Sequence, residues 1–183
     1  MSSMFSNSTT HAAAAAPAYT RALLDLLGDQ NPLDILSAQL SQLNQLTKGL
    51  TSEELHRPEA SGKWSVLQVL DHLTDSEMVS GYRLRFVIAE ESPVIVGYDQ
   101  DLWAAKLRYG VADRDSLLAE LGAFRTRNLR LMRDLSPAEM ERLGNHSERG
   151  PEKVIRMISL LAAYDLVHRR QIARIRVALG KSI

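Results

Sequence analysis

Two imidazoles are the side chains of this sequence best suited to chemistry. They are His72, in Leu70-Asp71-His72-Leu73-Thr74-Asp75-Ser76-Glu77, and His168, in Tyr164-Asp165-Leu166-Val167-His168-Arg169-Arg170-Gln171. Both stretches are amphipathic at the helical period. Neutral imidazole is the commonest side-chain ligand for zinc, nickel or iron, and facing helices of a bundle can bring two such rings to one spot. A catalytic metal takes about three protein ligands and keeps one position open. The residue one turn before His168, where a third imidazole would complete the set, is Tyr164. Spacing along one chain does not say whether two distant histidines converge. A second reading therefore stays open, in which each imidazole hydrogen-bonds a neighbour and satisfies a polar spot near the core.

Residues three or four apart share a helix face, which sets His72 beside Asp75 and Ser76, and His168 beside Tyr164, Asp165, Gln171 and Ile172. Asp75 is a candidate to orient His72 or to act as a base on a metal-activated water, the alternative being an exposed acid. His146, in Asn145-His146-Ser147-Glu148-Arg149-Gly150, is a candidate replacement for the missing ligand, or a loop histidine packed against the next helix start. Asp165 points about a hundred degrees away from Tyr164 and is expected to pair on the surface. The aromatic run from Tyr98 to Trp103 is either a lid over a pocket or a satellite core under a long connection. Arg83, Arg85, Arg125, Arg127 and Arg130 read as helix-surface charges balanced by Glu90, Glu91 and Glu120, and Arg169, Arg170 and Arg174 read the same way.

The elements that have to position these groups are helical. From Tyr19 onward the apolar spacing follows the helical period, and Val94-Ile95-Val96 is the one β-branched cluster of note, so an all-α chain is expected. Leu23 to Leu27 make a short first helix that Gly28 can end, and Asn31-Pro32 opens a second carrying Leu33, Leu36, Leu40, Leu43, Leu46 and Leu50. Thr51 to Glu54 and Ser65 to Gln68 have capping-box spacing, the latter opening a long helix to about Glu91. After Ser92-Pro93 comes a long connection with an aromatic short helix around Trp103, and then a helix capped by Asp113. Ser136-Pro137-Ala138-Glu139 starts a brief helix ended by Gly144, residues 145–150 read as loop, and Pro151-Glu152 opens the last long helix, which runs to Gly180. Four long helices with one extended crossover predict a four-helix bundle.

The chain has 183 residues, long enough for one full core, and it is read as a disordered or weakly ordered leader over 1–18 and a single domain over 19–183. Lys plus Arg number 22 and Asp plus Glu also 22, which provides no field to attract nucleic acid or an anionic membrane. There is no cysteine, which excludes disulfides, thiolate metal sites and a Cys nucleophile, and suits a reducing cytoplasm. No apolar run approaches the ~18 to 20 residues that span a bilayer.

At the histidines the chain resembles the DinB-like (YfiT-like) superfamily of metalloenzymes, a group named for a damage-inducible bacterial protein and distinct from the DNA polymerase sharing that label. The likeness lies in Lys63-Trp64-Ser65-Val66 through Asp71 to Glu77, Tyr82-Arg83, the Tyr98-Asp99 and Trp103-Ala104 loop, Asn145 to Gly150, and Asp165 to Ile172. The resemblance implies a DinB/YfiT-like four-helix bundle with a long crossover, frequent homodimers, and in many members a divalent metal held by three histidines. It places the first ligand on His72, the second on Tyr164, where this chain departs from histidine, and the third on His168. The activities it implies are thiol S-transfer, isomerisation or hydrolysis of a small molecule, with nickel, zinc or iron. A low-molecular-weight thiol would have to come from outside a chain without cysteine. The competing expectation is a metal-free relative that binds a small ligand or serves as a dimeric interaction protein, with no nucleic acid and no membrane involved in either case.

Overall fold

The computed structural model describes residues 12–182. The elements are α1 (Ala12–Leu27), α2 (Pro32–Thr47), α3 (Ser52–His56), α4 (Val66–Ala89), β1 (Val94–Ile95), α5 (Gln100–Lys106), α6 (Arg114–Arg133), α7 (Pro137–Met140), β2 (Leu143–His146), β3 (Gly150–Lys153) and α8 (Val154–Ala178). Helices α2, α4, α6 and α8 form the bundle, with α2 and α4 each packed on both α6 and α8, and α1 laid along α8.

Local signals start these helices where the sequence places them. Asn31 accepts a hydrogen bond from the Leu33 amide with Pro32 at the first helical position. Thr51, Ser65 and Ser136 each close a capping box, and Asp113 accepts from the Asp115 and Ser116 amides. Such caps satisfy amides that the first turn leaves free, each at about 1 kcal/mol. Gly28 ends α1 at φ 57°, a left-handed turn that costs glycine little.

The apolar core has two parts. One gathers Leu36, Leu84, Val87, Leu129, Met132, Ile158 and Leu161. The other gathers Leu43, Val66, Leu70, Leu73, Leu121, Ile172 and Ile175. Near where the two sets meet along each bundle helix lie buried polar side chains: Gln39 on α2, His72 and Glu77 on α4, Arg125 and Asn128 on α6, Asp165 and His168 on α8. A polar layer thus crosses the waist of the bundle, and both histidines belong to it.

Expectations at two places in the chain need correction. The leader expected over 1–18 is helical from Ala12, the first residue of α1, while residues 1–11 lie outside the described residues. The chain also carries a small sheet. β1 pairs in parallel with β2, Val94 opposite Asn145 and Ile95 opposite His146, and β2 pairs antiparallel with β3, Leu143 opposite Lys153 and His146 opposite Gly150. So Gly144 is a strand residue rather than a helix stop, residues 145–150 are not all loop, and α8 begins at Val154, after Pro151 and Glu152. The cause is long-range pairing: the Asn145 amide donates to the Pro93 carbonyl and the Ser147 amide to the Ile95 carbonyl, each at 2.8 Å. This sheet ties the crossover to the entry of α8. Among the described residues no helix is long and apolar enough to cross a membrane.

Candidate metal centre

His72, Tyr164 and His168 meet in the polar layer. Helix α4 delivers His72 with no exposed surface and α8 delivers His168 at 6% exposure. Their ring centroids lie 5.1 Å apart, with the Tyr164 ring 4.5 Å from His168 and 5.6 Å from His72. His72 Nε2 shares a short hydrogen bond with the Tyr164 hydroxyl, which also donates to Gln100 Oε1 at 3.2 Å. His168 Nδ1 donates to Gln171 Oε1 at 2.8 Å, one turn along α8. That bond assigns the ring proton to Nδ1 and leaves a lone pair on Nε2.

Two ring nitrogens, His72 Nδ1 and His168 Nε2, are buried with no hydrogen-bond partner among the described residues. Burial pushes His168 down to about 4, and burial followed by the neighbouring His168 holds His72 well below the ordinary histidine value. Both rings are therefore neutral at physiological pH, the form that ligates metals. Burial drives the Tyr164 phenol well above the ordinary tyrosine value, so without a cation beside it Tyr164 keeps its proton.

The crossover covers this centre. Asp99 caps α5 by accepting from the Asp101 and Leu102 amides, which fixes Gln100 over Tyr164. The Tyr98 hydroxyl lies 3.0 Å from Ser76 Oγ, and its ring packs 4.4 Å from that of Trp103. Cavities flank the centre on two sides. One, of about 190 Å³, is lined by Ser76, Tyr98, Gln100 and Tyr164 among others. The second, of about 330 Å³, is lined by Trp64, Gln100, His168 and Gln171 among others. The aromatic run is thus part of a cavity wall, and Gln100 stands on the boundary of both spaces.

The remaining candidates lie elsewhere. Asp75 accepts from the Tyr109 hydroxyl at 2.5 Å, and Asp71 accepts from the Gly110 amide at 2.5 Å, so these acids anchor the far end of the crossover. The Tyr109 ring lies 6.5 Å from that of His72, so the phenol that Asp75 holds borders the centre. His146 is buried on β2, accepting from the Glu148 amide at 3.2 Å. Burial, then Arg149 and Arg83, push it down to about 4. Among the described residues no three His, Cys, Asp or Glu side chains gather as a metal site, so His146 does not join His72 and His168.

Asp165 and Arg125 correct the sequence reading outright. Expected on the surface, they are 1% and 2% exposed. Arg125 donates to both Asp165 oxygens, at 2.6 and 3.2 Å, and also pairs with Glu77 at 2.8 Å. Arg169 is not a free surface charge either, since it donates to Gln39 and, at 2.6 Å, to the Ile35 carbonyl. Gln100 and Tyr109 were missed as well. Neither has a periodic or motif signal, because both act through contacts with distant helices.

Comparison with known proteins sets this geometry in a family. The pattern of the DinB superfamily matches residues 35–172. The chain belongs to the DinB superfamily. A "putative metal-dependent hydrolase" of Oceanobacillus iheyensis is 39% identical over 119 residues, covering 65% of this chain and 69% of that one. Another so named, from Bacillus mycoides, is 32% identical over 140 residues, covering 76% and 80%. Among solved structures, YfiT from Bacillus subtilis, described as "a probable metal-dependent hydrolase with an unusual four-helix bundle topology", superposes with a TM-score of 0.77 at 27% identity, covering 82% of this chain and 87% of YfiT. The four-helix fold and the DinB membership expected from the sequence both hold, with the small sheet as an addition.

Proposed function

We propose that this DinB-superfamily chain is a metal-dependent enzyme acting on a small molecule, with a divalent nickel, zinc or iron ion held by His72, His168 and Tyr164. Hydrolysis is the reaction favoured, since the relatives are named for it; thiol transfer and isomerisation use the same kind of centre. The observation that carries the reading is the buried, unpartnered Nε2 lone pair of His168 beside the His72–Tyr164 pair. A desolvated lone pair without a donor costs about 1–3 kcal/mol, and a cation would offset that cost. The donor set fits: two neutral imidazoles plus a phenol whose proton a bound cation can displace.

When bound, such an ion supplies Lewis acidity and lowers the pKa of a coordinated water or thiol. The chain does the rest. Gln171 fixes the tautomer and tilt of His168, and Gln100 holds the Tyr164 hydroxyl in place. The crossover restricts water by setting Tyr98, backed by Trp103, in the wall of the cavity that presents the substrate. Asp75, anchored on Tyr109, supports the wall behind His72 rather than acting as a base. The protein is read as a cytoplasmic homodimer that engages neither nucleic acid nor membrane.

One observation favours a second reading, a metal-free binding protein: the His72–Tyr164 hydrogen bond already satisfies two of the three donors. Metal content and calorimetric titration with zinc and nickel of the wild type, His168→Ala and Tyr164→His decide between them. The enzyme reading expects stoichiometric uptake by the wild type, loss in His168→Ala and tighter binding in Tyr164→His. Uptake by Tyr164→His alone would establish the metal-free reading, and uptake by neither would remove the centre altogether.

A further inference from the structure

The cavity on the Tyr98 side of the centre holds two opposite charges without salt-bridge partners. Arg83, half-buried on α4, donates through Nη2 to the Val96 carbonyl at 2.6 Å, and its guanidinium carbon lies 5.6 Å from the Tyr98 ring centroid. Among the described residues no carboxylate comes within ion-pair distance of it. The cavity's other cation, Arg149, is committed to the buried Glu152 through two bonds of 2.6 and 2.7 Å. Glu148, also half-buried, has no ion-pair partner among the described residues. Its carboxylate rests against Gly97, where an added Cβ would come within 2.5 Å of Oε1, so glycine at 97 makes room for the acid. The small sheet sets this arrangement, since β1 leads into Gly97 and Tyr98 while the β2–β3 turn carries Glu148 and Arg149.

The remaining wall is apolar, with Leu23, Leu84, Met157, Leu160 and Leu161, and the cavity reaches Tyr164 and Gln100. We infer that this cavity takes a small zwitterion, its ammonium on Glu148 and its carboxylate on Arg83, with an aliphatic body directed along the leucines. A ligand carrying a carboxylate alone would leave Glu148 desolvated and repelled; an amine alone would do the same to Arg83. Leaving a buried partner unpaired is what makes polar sites selective. A ligand with both charges satisfies both groups. The inference deepens the enzyme reading by naming the substrate class, and it rests on that reading for the reaction at the Tyr164 end. Recognition of the head group needs no metal.

The test is calorimetric or NMR titration of the metal-stripped full chain with L-leucine, 4-methylpentanoate and 3-methylbutylamine, which share an aliphatic body and differ in charge. L-leucine is expected to bind about tenfold or more tightly than either single-charge probe, a difference of roughly 1.4 kcal/mol. Glu148→Gln and Gly97→Ala are expected to erase that advantage over 4-methylpentanoate, and Arg83→Gln the advantage over 3-methylbutylamine. The two loop variants keep the test informative if Arg83→Gln fails to fold. Equal binding of L-leucine and 4-methylpentanoate, or no binding of any probe, overturns the proposal. A sample that ignores L-leucine yet takes up zinc would lose this inference and keep the metal centre.

Discussion

Helices α4 and α8 each contribute to two polar clusters in the waist of the bundle, and the clusters differ in whether their groups face a partner of opposite charge. In the first, Arg125 reaches Asp165 at 2.6 Å, Glu77 at 2.8 Å and the Leu36 carbonyl at 2.9 Å, while Asn128 donates to Glu77 at 2.8 Å. In the second, built from His72, Tyr164 and His168, two ring nitrogens face no partner. Burial is similar in both. In the Arg125 cluster both acids meet the guanidinium, although Arg125 Nε makes no hydrogen bond of its own; charge pairing of this kind is what offsets the desolvation of buried ions, so the cluster is scaffold, joining α2, α4, α6 and α8. An unmatched cluster at the same depth is a place held ready for something else.

The largest effect should come from breaking the matched side. Arg125→Met strands Glu77 and Asp165 as buried, unpaired acids, and the expected loss is about 3–5 kcal/mol in urea unfolding at neutral pH. A loss under about 1 kcal/mol would mean that the acids find other partners or water, and the contrast between the clusters would dissolve.

Acid reaches the other side. His168 is pushed down to about 4 in the folded protein, against about 6.5 when unfolded. Between those values the unfolded chain binds a proton that the folded chain refuses. The stability this ring contributes is therefore complete above pH 6.5 and is lost as pH falls toward 4. From pH 7 to pH 5 the loss is about 2 kcal/mol for this ring alone. His146, pushed down to about 4, steepens the same limb, while Asp165, pushed up to about 6 by burial against the pull of Arg125, opposes it. Comparing wild type with His168→Gln cancels both. The variant's pH 7 to 5 difference in urea unfolding should shrink by about 2 kcal/mol; an unchanged slope would show that the His168 ring is hydrated.

What the sequence revealed follows the reach of each signal. Capping boxes at Thr51, Ser65 and Ser136 lie within four residues and were legible. So was the face shared by Tyr164 and His168, because helical spacing imposes it. Their meeting with His72 was carried by family likeness. Strands β2 and β3, with Leu-Gly-Asn-His and Gly-Pro-Glu-Lys, have no β-branched residue and exist through long-range pairing, β2 with the Pro93–Ile95 segment and β3 with β2. Asp165 was misjudged because its partner lies on another helix and charge alone does not reveal depth. Gln100 was invisible for the same reason.

The smallest change, Tyr164→Phe, separates the two roles of the tyrosine. As a hydrogen-bonding group only, its hydroxyl contributes about 1 kcal/mol through His72 and Gln100, and its removal leaves His72 Nε2 buried and unmatched. In that case the phenylalanine variant is slightly less stable but binds zinc as well as or better than wild type, because the two imidazoles are freed from a competing bond. As a ligand, the phenol oxygen is one of three donors, and its loss weakens zinc binding while the stability change stays near 1 kcal/mol. We expect the second outcome. The unfolding measurement fixes the cost of the hydrogen bond and the zinc titration the worth of the ligand, so the two roles are read independently. Tighter zinc binding in Tyr164→Phe would make Tyr164 a plug, and the unmatched cluster would then be a closed site rather than a waiting one.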